Sequence, residues 1–122
     1  ATDPAGDSLH GGKPWAPHKI QGWTPDFLPD VLNPKVFDQL VPVTDEEGKT
    51  MARRLAREEG IFVGISAGAT LPPTLEAAEN PKPGSVLLAM VSHTGERYLG
   101  TYLFDDLNAG SDDEWLASLD KK

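Results

Sequence analysis

The chain has 122 residues, a formal net charge of −8 and no cysteine. Its length suits one small domain, and its apolar content of 39% and charged content of 25% are typical of a globular protein. The acidic balance argues against unaided binding to nucleic acid or to an anionic membrane, because both need clusters of Lys and Arg. The lack of cysteine excludes disulfides and a cysteine nucleophile within the chain, and it fits a reducing cytoplasm. No apolar run is long enough for a membrane span, and the N-terminus lacks the features of a signal peptide.

Residues 1–34 are rich in glycine and proline, which predicts an irregular segment. Such a long irregular segment is unusual inside a compact domain, so it either covers a surface or serves a function. After it, the pattern predicts a short helix over 36–40 and a short apolar strand over 40–43.

The clearest local signal is the sequence that begins at Thr44. Thr44 and Glu47 form a capping box, in which each side chain accepts a hydrogen bond from the other residue's backbone N–H. Acidic residues occupy the first turn and arginines the last, as the helix dipole favours. This pattern predicts a helix that ends at Gly60, a residue suited to the left-handed position after a helix.

The next segment predicts alternating strands and helices. Residues 61–65 are apolar and β-branched, which favours a short buried strand or extended segment. Pro72 and Pro73 are tolerated best in a first helical turn, so the following helix is expected to begin near Thr70 and to run to about Glu79. Residues 85–91 form a continuous apolar run that is typical of a strand in a parallel sheet.

Together these elements indicate an α/β fold and a single, partial domain. Its predicted parts are the irregular segment 1–34, an α/β core over 35–107 and a tail over 108–122. A short terminal helix is expected over 111–119.

A turn of small residues between a buried strand and a helix is where α/β proteins often bind ligands. The stretch 64–69 is such a turn, and it places the Ser66 hydroxyl at the carboxyl end of the predicted strand. A tight turn with a capping serine explains the same pattern without a ligand. His93 ends the next apolar run and is either a proton carrier or an ordinary hydrogen-bonding surface residue. His10 and His18 have no third ligand, so no metal site is expected.

Four stretches resemble the cysteine synthases (O-acetylserine sulfhydrylases). They are HKIQG at 18–22, LAREEG at 55–60, VGISAGA at 63–69 and GERYL at 95–99. Their order and spacing are similar to the family's up to about Leu107. The resemblance therefore covers almost the whole chain.

The resemblance implies a pyridoxal-phosphate-dependent enzyme of fold type II, with two α/β domains and usually a homodimer. Such an enzyme replaces the acetoxy group of O-acetylserine with sulfide, which yields cysteine and acetate. The chain would be the C-terminal part of the large domain. Ser66 would bind the pyridine nitrogen of the cofactor, and Gly22 would lie at the substrate site. The N-terminal end, residues 1–4, is similar to the end of a family strand.

The family's Schiff-base lysine, its substrate loop and its phosphate loop all precede HKIQG and have no match here. The resemblance thus implies no catalytic residue in this chain, few of the cofactor contacts, and no activity of the chain alone. Its main partner would be the missing N-terminal portion of the same enzyme.

The sequence also departs from the family. Trp23 and Pro25 would make the loop after HKIQG bulkier and stiffer, and Ser92 and His93 replace the usual residues before GERYL. Two alternatives stay open. One is a non-catalytic binding module of the same descent, which would hold a partner such as serine acetyltransferase. The other is an enzyme similar to cystathionine β-synthase.

Overall fold

Two packed α-helices form the centre of the computed structural model: α1 (Asp45–Arg54) and α2 (Ile65–Ala78). A two-stranded parallel sheet, β1 (Thr2–Pro4) and β2 (Val41–Val43), lies beside them. The structure describes the backbone of residues 2–4, and residues 14–25, 27, 29–33, 35–107, 110 and 116. Neither α-helix in this part of the chain is long and apolar enough to cross a membrane.

The start of α1 confirms the predicted capping box. The Thr44 side chain accepts from the Glu47 backbone N–H at 3.2 Å, and the Glu47 carboxylate accepts from the Thr44 backbone N–H at 2.7 Å. The helix continues as a π-helical segment, Leu55–Glu59, and ends at Gly60 in the left-handed region, with φ of 69°. Gly60 is therefore the predicted stop, because residues with a side chain seldom adopt this conformation.

Helix α2 begins five residues earlier than the prediction near Thr70, which is wrong. Its N-cap is Gly64, and Pro72 and Pro73 lie inside it. Packing explains the difference, because Ile65 and Ala69 are almost completely buried in the first turns. A Cβ atom at Gly68 would lie 2.6 Å from the backbone nitrogen of Ala52, so this glycine allows the two helices to approach closely. Burial of this face outweighs the two hydrogen bonds that the prolines cannot donate.

The short sheet confirms two predictions and corrects one. Strand β2 is the strand expected over 40–43, and β1 is the one that the family resemblance implied at the N-terminal end, in register Thr2 with Val41. The helix expected over 36–40 is wrong: this stretch is irregular and Val36 is 72% exposed. A helix of five residues forms too few hydrogen bonds to offset the unfavourable free energy of nucleation unless it packs strongly against other segments.

The strand expected over 85–91 is also absent from the described structure. These residues make no strand pairs, and Val86 and Leu88 are 93% and 90% exposed. A strand needs neighbouring strands to pair with its N–H and C=O groups, and within the described residues no such neighbour lies alongside. The apolar side chains of this run are exposed to solvent, and a patch of this kind indicates a surface that packs against another protein segment.

The segment expected to be extended over 61–65 is shorter than predicted. It forms a single antiparallel bridge between Val63 and Thr94, and Ile65 already belongs to α2. The terminal helix expected over 111–119 lies outside the described residues except for Leu116, which is helical and exposed.

The turns at 101–106 are held against α1 by charged groups. Lys49 is 8% exposed and bonds to Asp105 at 2.9 Å. Arg53 donates to the Leu103 carbonyl at 2.7 Å and pairs with Asp106. The hydrogen bond to Asp105 raises the pKa of Lys49, and the one from Arg53 holds the pKa of Asp106 well below its usual range. Leu103, which is fully buried, is thereby fixed in the core.

Candidate functional site

Ser66 lies in the first turn of α2 and is only 2% exposed. Gly64, the N-cap of this helix, brings the Tyr98 ring close to the same turn. A Cβ atom at Gly64 would lie 2.8 Å from Cζ of Tyr98, so any other residue would push the ring away. The GIS sequence that predicts a ligand turn is thus also a packing requirement.

Two backbone hydrogen bonds hold the segment 92–95 beside this turn. The Gly64 N–H donates to the His93 carbonyl at 3.0 Å, and the Gly95 N–H donates to the Phe62 carbonyl at 3.1 Å. A Cβ atom at Gly95 would lie 2.7 Å from the Phe62 ring, so glycine is required here as well. This clamp places Ser92 and His93 next to Ser66.

Four side chains form a connected polar cluster, which we call the Ser66 cluster: Ser66, Ser92, His93 and Tyr98. The hydroxyl oxygens of Ser66 and Ser92 are 3.1 Å apart. Nδ1 of His93 lies 3.5 Å from Oγ of Ser66 and 3.2 Å from the Tyr98 hydroxyl. The cluster offers hydroxyl and imidazole groups, which can both donate and accept hydrogen bonds.

The cluster borders a cleft lined by both apolar and polar residues. Ser92, His93 and Arg97 line it together with Phe62 and Val91. Apolar walls with a few convergent polar groups are typical of sites that bind small organic ligands. Among the described residues, no group of three or more His, Cys, Asp or Glu side chains is arranged to hold a metal ion.

The second predicted site residue, Gly22, lies on an exposed turn with φ of 83°. The turn is anchored by Ile20, which is fully buried and whose carbonyl accepts from the Trp23 N–H at 3.2 Å. The Lys19 N–H donates to the Asp45 carboxylate at 2.9 Å, which ties the loop to the start of α1. These hydrogen bonds hold the loop on either side of Gln21 and Gly22. Gly22 itself is exposed to solvent.

A small cavity connects this loop with the start of α2. His18, Gln21, Ile65 and Tyr98 are among its lining residues. Nδ1 of His18 is buried and has no hydrogen-bond partner among the described residues, while its Nε2 lies 3.3 Å from the Thr24 carbonyl. The fold thus brings the HKIQG loop next to the residue that precedes Ser66, and Tyr98 lines this cavity as well as joining the Ser66 cluster.

No family model matches the chain, but individual proteins match it closely. It is 52% identical, over 98% of its length, to the O-ureido-L-serine synthase of Streptomyces lavendulae, and 47% identical, over 84% of its length, to a Bacillus subtilis protein named "Probable cysteine synthase". Its fold matches the crystal structure of O-ureido-L-serine synthase with a TM-score of 0.81 at 51% identity, covering 95% of this chain and 37% of that one. The cysteine synthase of Entamoeba histolytica gives a TM-score of 0.79 at 32% identity, with 99% of this chain and 36% of that one covered.

The chain is homologous to cysteine synthases. Its homologues are pyridoxal-phosphate-dependent enzymes of fold type II, which confirms the resemblance and the predicted fold class of a partial α/β domain. The chain spans 37% of the length of the Streptomyces relative and 33% of the Bacillus relative.

The Ser66 cluster suits the pyridine ring of this cofactor. A pyridine nitrogen needs a hydrogen-bond donor, and the Ser66 hydroxyl can supply one while staying neutral. Its hydroxyl contacts within the described chain are Ser92 and His93, so no carboxylate is placed to pair with a protonated ring nitrogen there.

The sequence points to Ser66, Ser92 and His93, but it does not identify Tyr98 as their partner. Tyr98 belongs to the GERYL motif, which was a signal that it matters. Its hydroxyl reaches His93, five residues earlier, because 95–98 fold into a short 3₁₀ turn. The sequence pattern of residues 95–98 does not predict that turn.

Proposed function

We propose that this chain is the C-terminal portion of a pyridoxal-phosphate-dependent enzyme that replaces the acetoxy group of O-acetylserine with sulfide. The products are cysteine and acetate: a C–S bond forms at the β-carbon, and the C–O bond to acetate breaks. The observation that carries this proposal is the identity of 47%, over 84% of the chain, to a protein named "Probable cysteine synthase", beside an identity of 52%, over 98% of the chain, to O-ureido-L-serine synthase. Since the chain spans about a third of these relatives, we do not expect it to be active alone.

In this proposal Ser66 donates a hydrogen bond to the pyridine nitrogen of the cofactor. When bound, pyridoxal phosphate supplies the electron-withdrawing ring that makes chemistry at the substrate's β-carbon possible. A neutral hydroxyl leaves the ring nitrogen unprotonated, whereas a carboxylate would favour its protonation. The burial of Ser66 supports this role, because a hydrogen bond in a site shielded from water is stronger than an exposed one.

Gly22 is proposed to border the substrate entrance. Its positive φ and exposed position keep the loop free of a side chain at this point. Trp23, which is partly buried against the core, makes the neighbouring position rigid and bulky. We therefore expect this loop to influence which substrates enter.

A second nucleophile is favoured by one observation: the relative of 52% identity is named for making O-ureido-L-serine. That product is a serine whose β-oxygen carries a ureido group, so it forms by the same replacement if the oxygen of a hydroxyurea attacks in place of sulfide. The intact enzyme would then use a hydroxyurea-type nucleophile. The residues discussed above would keep the same roles in either reaction.

The test is an assay of the full-length protein with O-acetylserine. Acetate release is measured with sulfide and with hydroxyurea as competing nucleophiles, and the amino-acid products are identified by mass spectrometry. Cysteine as the main product supports the first reaction, and O-ureido-L-serine the second. Release of neither product, or no bound pyridoxal phosphate, would refute the proposal.

The role of Ser66 is tested by Ser66→Ala with Ser85→Ala as a matched control, since Ser85 lies on an exposed turn. Loss of one hydrogen bond is worth about 0.5–1.5 kcal/mol, so Ser66→Ala should weaken cofactor binding about two- to tenfold. Ser85→Ala should bind like wild type. Equal affinity of the two variants would remove Ser66 from the cofactor site.

Two other readings give different results in the same experiments. An enzyme similar to cystathionine β-synthase would accept homocysteine as nucleophile. A non-catalytic module would bind the C-terminal tail of serine acetyltransferase without releasing acetate from O-acetylserine.

The proposed homodimer of the full-length protein is tested by sedimentation, and its proposed cytoplasmic location by cell fractionation.

A further inference from the structure

His93 lies at the centre of the Ser66 cluster, between two hydroxyl groups. Its Nδ1 atom is 3.2 Å from the Tyr98 hydroxyl and 3.5 Å from Oγ of Ser66. The backbone carbonyl of His93 accepts from Gly64 at 3.0 Å, so its Cα is fixed relative to the start of α2. The imidazole is thus positioned by both its backbone and its side chain.

The Ser66 hydroxyl has a single hydrogen to donate, and this limits which hydrogen bond it can make with His93. A hydroxyl has one hydrogen and two lone pairs. If Ser66 gives its hydrogen to a ligand nitrogen, its oxygen can only accept from the other groups around it. A lone pair on Nδ1 would then face a lone pair on Oγ, which is repulsive. A hydrogen on Nδ1 avoids this repulsion, and it suits both contacts because the oxygens of Ser66 and Tyr98 can each accept from it.

A donated hydrogen bond from Nδ1 has a second effect. It polarises the Ser66 hydroxyl and so strengthens the bond that this hydroxyl donates onward. Tyr98, only 7% exposed, keeps the imidazole at the right side of Ser66. Ser92, at 3.1 Å, can donate its own hydrogen to the same oxygen.

We propose that His93 is a positioning residue, whose Nδ1–H directs the Ser66 hydroxyl toward the ring nitrogen of pyridoxal phosphate. This inference rests on the proposed function. His93 acts through Ser66 and does not itself take part in the reaction.

The experiment compares His93→Asn, His93→Leu and Tyr98→Phe in the full-length protein. The side-chain nitrogen of asparagine is bonded to Cγ, as Nδ1 is in histidine, so His93→Asn keeps a hydrogen-bond donor at this place. This variant should bind pyridoxal phosphate within about twofold of wild type and keep its absorption spectrum. His93→Leu removes the donor and should weaken binding about two- to tenfold, with a shifted absorption maximum. Tyr98→Phe should change both in the same direction by a smaller amount.

A double-mutant cycle separates a positioning role from a general structural one. In a Ser66→Ala background, His93→Leu should cause no further loss of cofactor affinity. A second readout is the ¹⁵N spectrum of histidine-labelled protein with bound cofactor, in which the His93 signal should show a protonated Nδ1. The signal is assigned by its absence in His93→Asn.

The outcomes distinguish the two proposals. If wild type binds the cofactor but His93→Leu matches it in affinity and spectrum, or if Nδ1 is unprotonated, the positioning role is wrong and the proposed function stands. If His93→Leu weakens binding equally with and without Ser66, His93 does not act through Ser66 and the inference is overturned. If wild type binds no cofactor, both proposals are wrong.

Discussion

Replacement of Gly68 by alanine should separate α2, the helix that carries Ser66, from α1. A Cβ atom at this position would lie 2.6 Å from the backbone nitrogen of Ala52 and 2.7 Å from its Cβ. Carbon atoms pack best at about 3.5–4.0 Å, so α1 and α2 would have to move apart by about 1 Å. Backbone atoms cannot rotate out of the way as a flexible side chain would.

The expected loss of stability follows from two opposing effects. Overpacking of a tight contact costs about 1–3 kcal/mol, and the rigid backbone places Gly68→Ala at the upper end. The better helix propensity of alanine returns about 1 kcal/mol. We therefore expect a net loss of about 2 kcal/mol. Because Ser66 lies on the same helix turn, cofactor affinity should fall as well.

Two other glycines provide a graded comparison. A Cβ atom at Gly48 would lie 3.2 Å from Cβ of Ala69, which is tight but not prohibitive, whereas one at Gly100 would meet nothing within 4 Å. Gly48→Ala should therefore cost less than about 1 kcal/mol, and Gly100→Ala should stay within about 0.5 kcal/mol of wild type. The free energy of unfolding is measured by urea denaturation of the full-length protein. If Gly68→Ala is as stable as Gly100→Ala, the close helix contact does not exist.

The remaining predictions concern the cap of α1 and the pH dependence of stability. Thr44→Ala removes the side chain that accepts from Glu47, so the free energy of unfolding should fall by about 1 kcal/mol, while the exposed Thr50→Ala in mid-helix should change it by less than half as much. Equal effects would contradict the capping role. The hydrogen bond from Arg53 lowers the pKa of Asp106 in the folded chain, so the ionised carboxylate stabilises the fold above the ordinary aspartate pKa of about 3.9, and this contribution is lost as the pH falls further. Asp106→Asn should thus lower stability at neutral pH, and the difference from wild type should shrink in urea titrations toward pH 2; a constant difference would refute the assignment.

Local elements were the most predictable part of the fold. The cap at Thr44 and the stop at Gly60 depend on residues within one or two turns of each other, so their chemistry is visible in the sequence. The start of α2 was mispredicted because the two prolines dominate the local pattern, while the contact between Gly68 and Ala52 does not show there.

The apolar run 85–91 is an element that the sequence alone could not predict. Its composition predicts a buried strand, but burial and strand formation both depend on neighbouring strands, and the described residues supply none. For the site, the family motifs indicated Ser66 and Gly22, and these roles remain predictions.

By itself, the sequence determined the family and the helix α1, and it singled out Ser66, although it placed this residue in a turn before the helix rather than in the first turn of α2. These features follow from residue types and short spacings. The tertiary structure alone decided where α2 begins and which groups surround Ser66. Tyr98 meets His93 only because the backbone of 93–95 is clamped to 62–64 and because glycines at 64 and 95 allow aromatic rings to approach. Such contacts arise from packing between separate segments, and no local pattern encodes them.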